Sequence, residues 1–202
     1  MSYISDPAKP VPYRTLPIEA TYGKGSHWDP WQVEDQRFVS TRPDVVSFTG
    51  DSLKEDFTVT GNVTAHIYAG TTATDADFVV KLIDVYPEFD HKNLLMSGYQ
   101  LPVAMEVFRG RFRKGFDKPE PLTPDKPLEF VIDLYQINHV FLRGHHLMIQ
   151  IQSSWFPVID RNPQKYVPNI FEAAESDFIK ATHTIYCNNQ FATYLELPVM
   201  KE

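Results

Sequence analysis

The run DFVVKLIDVY (Asp77 to Tyr86) restricts the fold of this chain more than any other segment. Read with a period of two, it places Phe78, Val80, Leu82 and Asp84 on one face and Val79, Lys81, Ile83 and Val85 on the other. Both faces are largely apolar, so the run reads as a central strand covered on two sides. Shorter alternating segments accompany it. In NVTAHIYA (Asn62 to Ala69), Val63, Ala65, Ile67 and Ala69 share a face, as a half-buried strand requires. LEFVIDL (Leu128 to Leu134), HLMIQIQS (His146 to Ser153), FIKATHTIYC (Phe178 to Cys187) and TYLELPV (Thr193 to Val199) repeat the pattern, with turn-prone PEPLTPDKP, DRNPQ and NNQ segments between strands.

About eight strands without intervening amphipathic helices predict an all-β protein, a two-sheet sandwich closed as a jelly roll. The 16 prolines and 9 glycines spread along the chain agree with many short elements. At 202 residues, the chain is expected to be a single domain, 1–202. Residues 1–44 carry prolines at 7, 10, 12, 17, 30 and 43 and no sustained period, and are read as an extended arm wrapping that domain. Within the arm, only WDPWQVEDQRFVS (Trp28 to Ser40) has helical character.

Several function classes fall away on composition. A formal charge of -7 disfavours nucleic acid or an anionic membrane surface as a partner. There is no run of 18 apolar residues, and the N-terminus lacks the charged and apolar regions of an export signal. One cysteine, Cys187, excludes a disulfide framework.

The catalytic candidates are few, and each has a structural alternative. Ser26 and Ser97 lack the G-x-S-x-G elbow that presents a hydrolase nucleophile. His27, beside Ser26, points away from it on an extended arm. Cys187 and His183 lie four apart on one expected strand, roughly 13 Å by strand rise, too far for a thiolate pair; a buried structural cysteine is expected. His145 and His146 project to opposite faces, with no third metal ligand at useful spacing. Asp75, Asp77 and Asp84 are candidate oxygen ligands for calcium, but they form no defined loop motif. No catalytic residue, metal or cofactor is therefore assigned.

Asp84 is expected to be a buried structural carboxylate, needing an arginine or a backbone N–H as partner. Asp160 and Arg161 are read as an ion pair fixing a loop. Trp28, Trp31, Trp155, Phe156 and Tyr166 allow two readings, a sugar-stacking platform or a core-plus-interface set.

Longer stretches carry a resemblance. YISDPAKPVPYR (Tyr3 to Arg14), VEDQRFVSTRPDVVSF (Val33 to Phe48), TDADFVVKLIDVYPE (Thr74 to Glu88), FLRGHHLMIQIQSSWFPVIDRNPQ (Phe141 to Gln164) and YLELPV (Tyr194 to Val199) together resemble the C-terminal domain of bacterial acyl esterases, the family of cocaine esterase and X-Pro dipeptidyl-peptidases. GYQLPVAMEVFRGRFRKGFDKPEP (Gly98 to Pro121) and YVPNIFEA (Tyr166 to Ala173) are most similar to α-amino-acid ester hydrolases. The resemblance implies a galactose-binding-domain-like jelly roll that follows a serine α/β-hydrolase domain and a helical cap, with the triad in parts absent from this chain. It implies a bacterial periplasmic or secreted parent enzyme, a partner in its own hydrolase domain, and homo-oligomer formation. Met1 and Ser2 stand where that β-domain would begin, as in a truncated gene product, an isolated domain or a processed fragment.

The function expected is thus a non-catalytic domain that packs on the hydrolase domain and shapes its active-site rim, with Trp155, Phe156, Asp160, Arg161 and Tyr166 as interface candidates. The chain alone is expected to be inactive. A stand-alone carbohydrate-binding module is the alternative, and a free-standing enzyme using His27, His146 or Cys187 a third.

Overall fold

The computed structural model describes residues 1–18 and 29–200. The described residues form nine strands in two layers: β1 (Ser2–Ser5), β2 (Val45–Thr49), β3 (Phe57–Thr71), β4 (Asp77–Val85), β5 (Gln100–Arg109), β6 (Leu128–Phe141), β7 (His146–Gln152), β8 (Ala181–Ile185) and β9 (Tyr194–Glu196). One sheet has the order β1-β8-β3-β6, with β9 also on β3; the other runs β2-β7-β4-β5. All these pairings are antiparallel, giving a β-sandwich. β1 lies within the stretch expected as an arm and β5 falls where the alternation predicts no strand, while the helical stretch resolves into a 3-10 turn (Asp29–Val33) and one turn of helix, α1 (Arg37–Ser40).

The inward faces meet in one apolar layer. Phe78, Val80 and Leu82 of β4 pack against Ile67 of β3 and Phe130 and Ile132 of β6, all fully buried or nearly so. Removing each such side chain from water stabilises the fold by roughly 1.5–3 kcal/mol. β4 is covered on its other face too. Val79 packs with Tyr13 and Trp155, and Val45 with Val11 and Val39, so the N-terminal segment and α1 form a third layer over the four-stranded sheet.

Lys81 lies beneath that layer and, among the described residues, has no carboxylate paired with it. Its ammonium donates to Gln36 Oε1 (2.7 Å) and Gln150 Oε1 (3.2 Å), and burial lowers its pKa to about 7.

β6 changes parity part-way. Asn62 pairs with Gln136 but Thr64 with Asp133, so Val63 opposes both Leu134 and Tyr135, and Tyr135 takes a left-handed φ of 64°. Before this bulge the even residues Phe130, Ile132 and Leu134 point inward; beyond it, His139 and Phe141 do.

That switch supplies the partner of Asp84, which is buried at the far end of β4. His139 Nε2 lies 2.9 Å from Asp84 Oδ2 and His145 Nδ1 2.8 Å from Oδ1. Two imidazoles, one from each sheet's side of the sandwich, take the place of the arginine or backbone N–H expected.

Candidate functional site

The loops that follow β3, β5 and β7, with those that precede β4, β6 and β8, gather at one end of the sandwich. Their organiser is the turn RGRF (Arg109 to Phe112). Gly110 donates its N–H to Ala76 O (2.8 Å), and a Cβ at this position would sit 2.9 Å from that same oxygen. Only glycine allows the approach. It sends Arg109 and Arg111 into separate carboxylates. Arg111 is buried, with Nε donating to Asp75 Oδ2 (2.7 Å) and Nη1 to Val167 O (2.9 Å), and its guanidinium lies 4.7 Å from the Tyr166 ring centroid. Arg109 is looser: Nε stands 3.7 Å from Asp77 Oδ2, and Nη2 donates to Asp160 O (3.1 Å).

Asp77 is buried, and Asn162 Nδ2 donates to its Oδ1 (2.7 Å). Burial raises the Asp77 pKa to about 7 against the opposing pull of Arg109 and Asn162. Asn162 in turn accepts from the Gln164 N–H (2.7 Å). Gln164, at a φ of 66°, donates Nε2 to Ser5 O (3.0 Å) and Ile179 O (2.6 Å), leaving its Oε1 to accept from His183 Nε2 (2.7 Å). His183 therefore carries its proton on Nε2, and burial lowers its pKa to about 4, so it is neutral. The DRNPQ segment, read as a turn, is the strut that ties β1, β4 and β8 together.

The sequence candidates divide accordingly. Trp155 is only 7% exposed, and its ring meets Trp31 edge-on (5.4 Å between centroids), with Tyr13 beyond. It supports this end from within. Phe156 turns outward, with its N–H bound to Val11 O (3.0 Å) and its carbonyl accepting from Tyr13 N (3.0 Å). Asp160 and Arg161 do not pair with each other: Arg161 donates to Pro7 O (2.8 Å) and lies over the Phe156 and Phe178 rings, while Asp160 serves through its backbone carbonyl. Tyr166 donates its hydroxyl to Pro119 O (3.1 Å). Trp31, Trp155, Phe156 and Tyr166 thus form no common stacking plane.

Cys187 corrects a second expectation. It is exposed, because β8 ends at Ile185 and Cys187 bridges Ala192 across a tight turn. Ser26, His27 and Trp28 lie outside the described residues.

Among the charged residues that this end exposes stand large apolar side chains. Phe116 is 88% exposed, Phe171 77%, Val158 40% and Phe156 37%.

A model of the X-Pro dipeptidyl-peptidase C-terminal non-catalytic domain matches residues 10–196. The chain belongs to this family. As an X-Pro dipeptidyl-peptidase C-terminal domain it has relatives that are much longer. Cocaine esterase of Rhodococcus sp. (strain MB1 Bresler) is 30% identical over 99% of this chain and 32% of its own length. A solved α-amino acid ester hydrolase is 48% identical with a TM-score of 0.95, covering 99% of this chain and 32% of that one. An aminopeptidase from a marine sediment Thaumarchaeota archaeon is 44% identical with a TM-score of 0.97, covering 100% and 33%. The chain spans about a third of the length of these relatives. The Arg111–Asp75 and Asn162–Asp77 pairs were missed from sequence, although the glycine between two arginines in RGRF was a legible signal of a constrained turn.

Proposed function

We propose that this chain is the non-catalytic β-sandwich partner of a serine α/β-hydrolase domain, which it packs against and whose active-site rim it shapes. The observation that carries this reading is the set of exposed apolar side chains, Phe116, Phe156, Val158 and Phe171, on the loops of a rigidly braced end of the sandwich. Isolated surface apolar residues are ordinary, but several large ones on one set of loops mark a contact surface. Membership of a non-catalytic domain family supports the same reading. The strand orders β1-β8-β3-β6 and β2-β7-β4-β5 support taking the described residues as one jelly roll, with the described part of the N-terminal segment beyond β1 laid over its four-stranded sheet. The interface proposed is Phe156, Asp160, Arg161 and Tyr166, with Trp155 behind them.

The pure chain is expected to give no turnover of p-nitrophenyl or amino-acid esters and no label from a serine-directed fluorophosphonate. Stoichiometric labelling would overturn the reading. An in-frame G-x-S-x-G reading upstream in the coding DNA is the complementary expectation.

A further inference from the structure

At the braced end, a cleft of about 320 Å³ is lined by Arg109 and Arg111, by the apolar Phe112, Pro168, Ile170 and Phe171, and by Asn169. We propose that this cleft binds an apolar carboxylate, an aryl or alkyl group ending in a carboxylate, with Arg109 as its anion partner. This goes beyond the docking reading, because it names a ligand chemistry and stands on the arginines themselves.

The two guanidiniums are not equivalent. Arg111 is spent: Asp75, the Val167 carbonyl and the Tyr166 ring fix it, so it forms a rigid floor. Arg109 is not. Of the five N–H donors of a guanidinium, the described residues engage Nη2 at the Asp160 carbonyl, and Asp77 stands 3.7 Å from Nε, beyond hydrogen-bond length. Asp77 is itself committed to Asn162, and its raised pKa leaves it a partial counter-charge near neutrality. Arg109 is thus a partly sheltered cation with unused donors at the mouth of an apolar slot. A planar fork of this kind suits bidentate capture of a carboxylate, and aromatic and aliphatic walls suit the group that bears it.

The same chemistry has two sources, a free small acid or an acidic side chain next to an apolar one on a docked domain. The test titrates the chain with phenylacetate, with its neutral isostere phenylacetamide, and with the capped dipeptide N-acetyl-Phe-Glu-amide. Readouts are the Arg109 Nε–H resonance and calorimetry. Phenylacetate is expected to shift that resonance and to bind about tenfold more tightly than phenylacetamide, the scale of one charge-assisted hydrogen bond. Arg109→Gln should remove this preference. Phe171→Ala, a change at an exposed position, should weaken phenylacetate without altering thermal unfolding. Binding of the dipeptide but not phenylacetate assigns the site to a protein side chain, and binding of both assigns it to small acids as well. Equal binding of acid and amide, an unchanged preference in Arg109→Gln, or no binding by either acid overturns the proposal, and none of these results bears on whether the apolar face docks a hydrolase domain.

Discussion

Asp84 shows how one buried carboxylate organises a neighbourhood. It accepts from His139 of β6 and from His145, just before β7, and so connects the two layers at the end away from the docking loops. Asp84→Ala leaves the buried His145 and the half-buried His139 without this acceptor and is expected to cost about 3 kcal/mol, measured as a lower urea midpoint. Lys81 makes the opposite kind of demand. Its pKa is lowered to about 7 from an ordinary 10.5, so between those values the unfolded chain holds a proton that the folded chain has released. Stability must then rise with pH from about 7 towards 10. Lys81→Met should flatten that rise, which is on the order of a few kcal/mol at most. On the acid side two groups oppose each other. Asp77, raised to about 7, keeps its proton on folding, so its contribution favours the fold more as pH falls from 7 to 4. His183, lowered to about 4 from 6.5, resists protonation and disfavours the fold over much of the same window. Asp77→Asn removes the first and leaves the second, so the variant should lose stability more steeply than the parent between pH 6.5 and 4. Urea midpoints across pH check both sides.

At the scale of elements, alternation and turn chemistry made most strands legible. β4 was readable from DFVVKLIDVY because burial on both faces leaves an apolar run, and β3 and β7 followed from ordinary alternation. β6 was legible only to Leu134, because the bulge at Tyr135 breaks the period and reverses which residues face inward. A reader counting by twos places His139 outside, and so never sees it as the partner of Asp84. β1 was hidden by its brevity, and the β8 expected over Phe178 to Cys187 is three residues shorter at its start and two at its end, which is why Cys187 was expected in the core and lies on the surface. The candidate site was less legible still: Arg111, Asp75 and Tyr166 are distant in sequence, and nothing in the local pattern announces their meeting. The bulge also gives a test. Deleting Tyr135 should restore simple alternation, drive His139 and Phe141 to the outer face, and leave a chain without a cooperative unfolding transition. Tyr135→Gly keeps the extra residue and relieves the left-handed backbone, so its midpoint should stay within about 1 kcal/mol of the parent.

Across the whole molecule, the two sheets face different surroundings. The four-stranded sheet is covered by the N-terminal segment and α1, whereas the outer face of the five-stranded sheet presents Thr60, Asn62, Glu129, Asp133 and Glu196 to water beside single apolar residues such as Val131. A polar, interspersed face of this kind has no need of a cover. The loop end differs because large aromatic side chains, Phe116, Phe156 and Phe171, stand exposed among its charged residues while the scaffold beneath them is braced by buried ion pairs and amide struts. Such an arrangement holds apolar side chains outward at no benefit to the isolated fold, which is the pattern of a surface completed by another body. If so, Phe116 and Phe171 contribute to contact and not to folding. The double variant Phe116→Ser, Phe171→Ser should shift the unfolding free energy by less than about 0.5 kcal/mol, the range for substitutions at exposed positions. It should at the same time reduce binding of the apolar dye ANS by the isolated chain. A large loss of stability would instead place these rings in the packing of the sandwich itself. In a longer polypeptide that also carries the hydrolase domain, the same variant should separate the unfolding of the two domains into distinct calorimetric transitions, because the apolar contact that couples them has been removed.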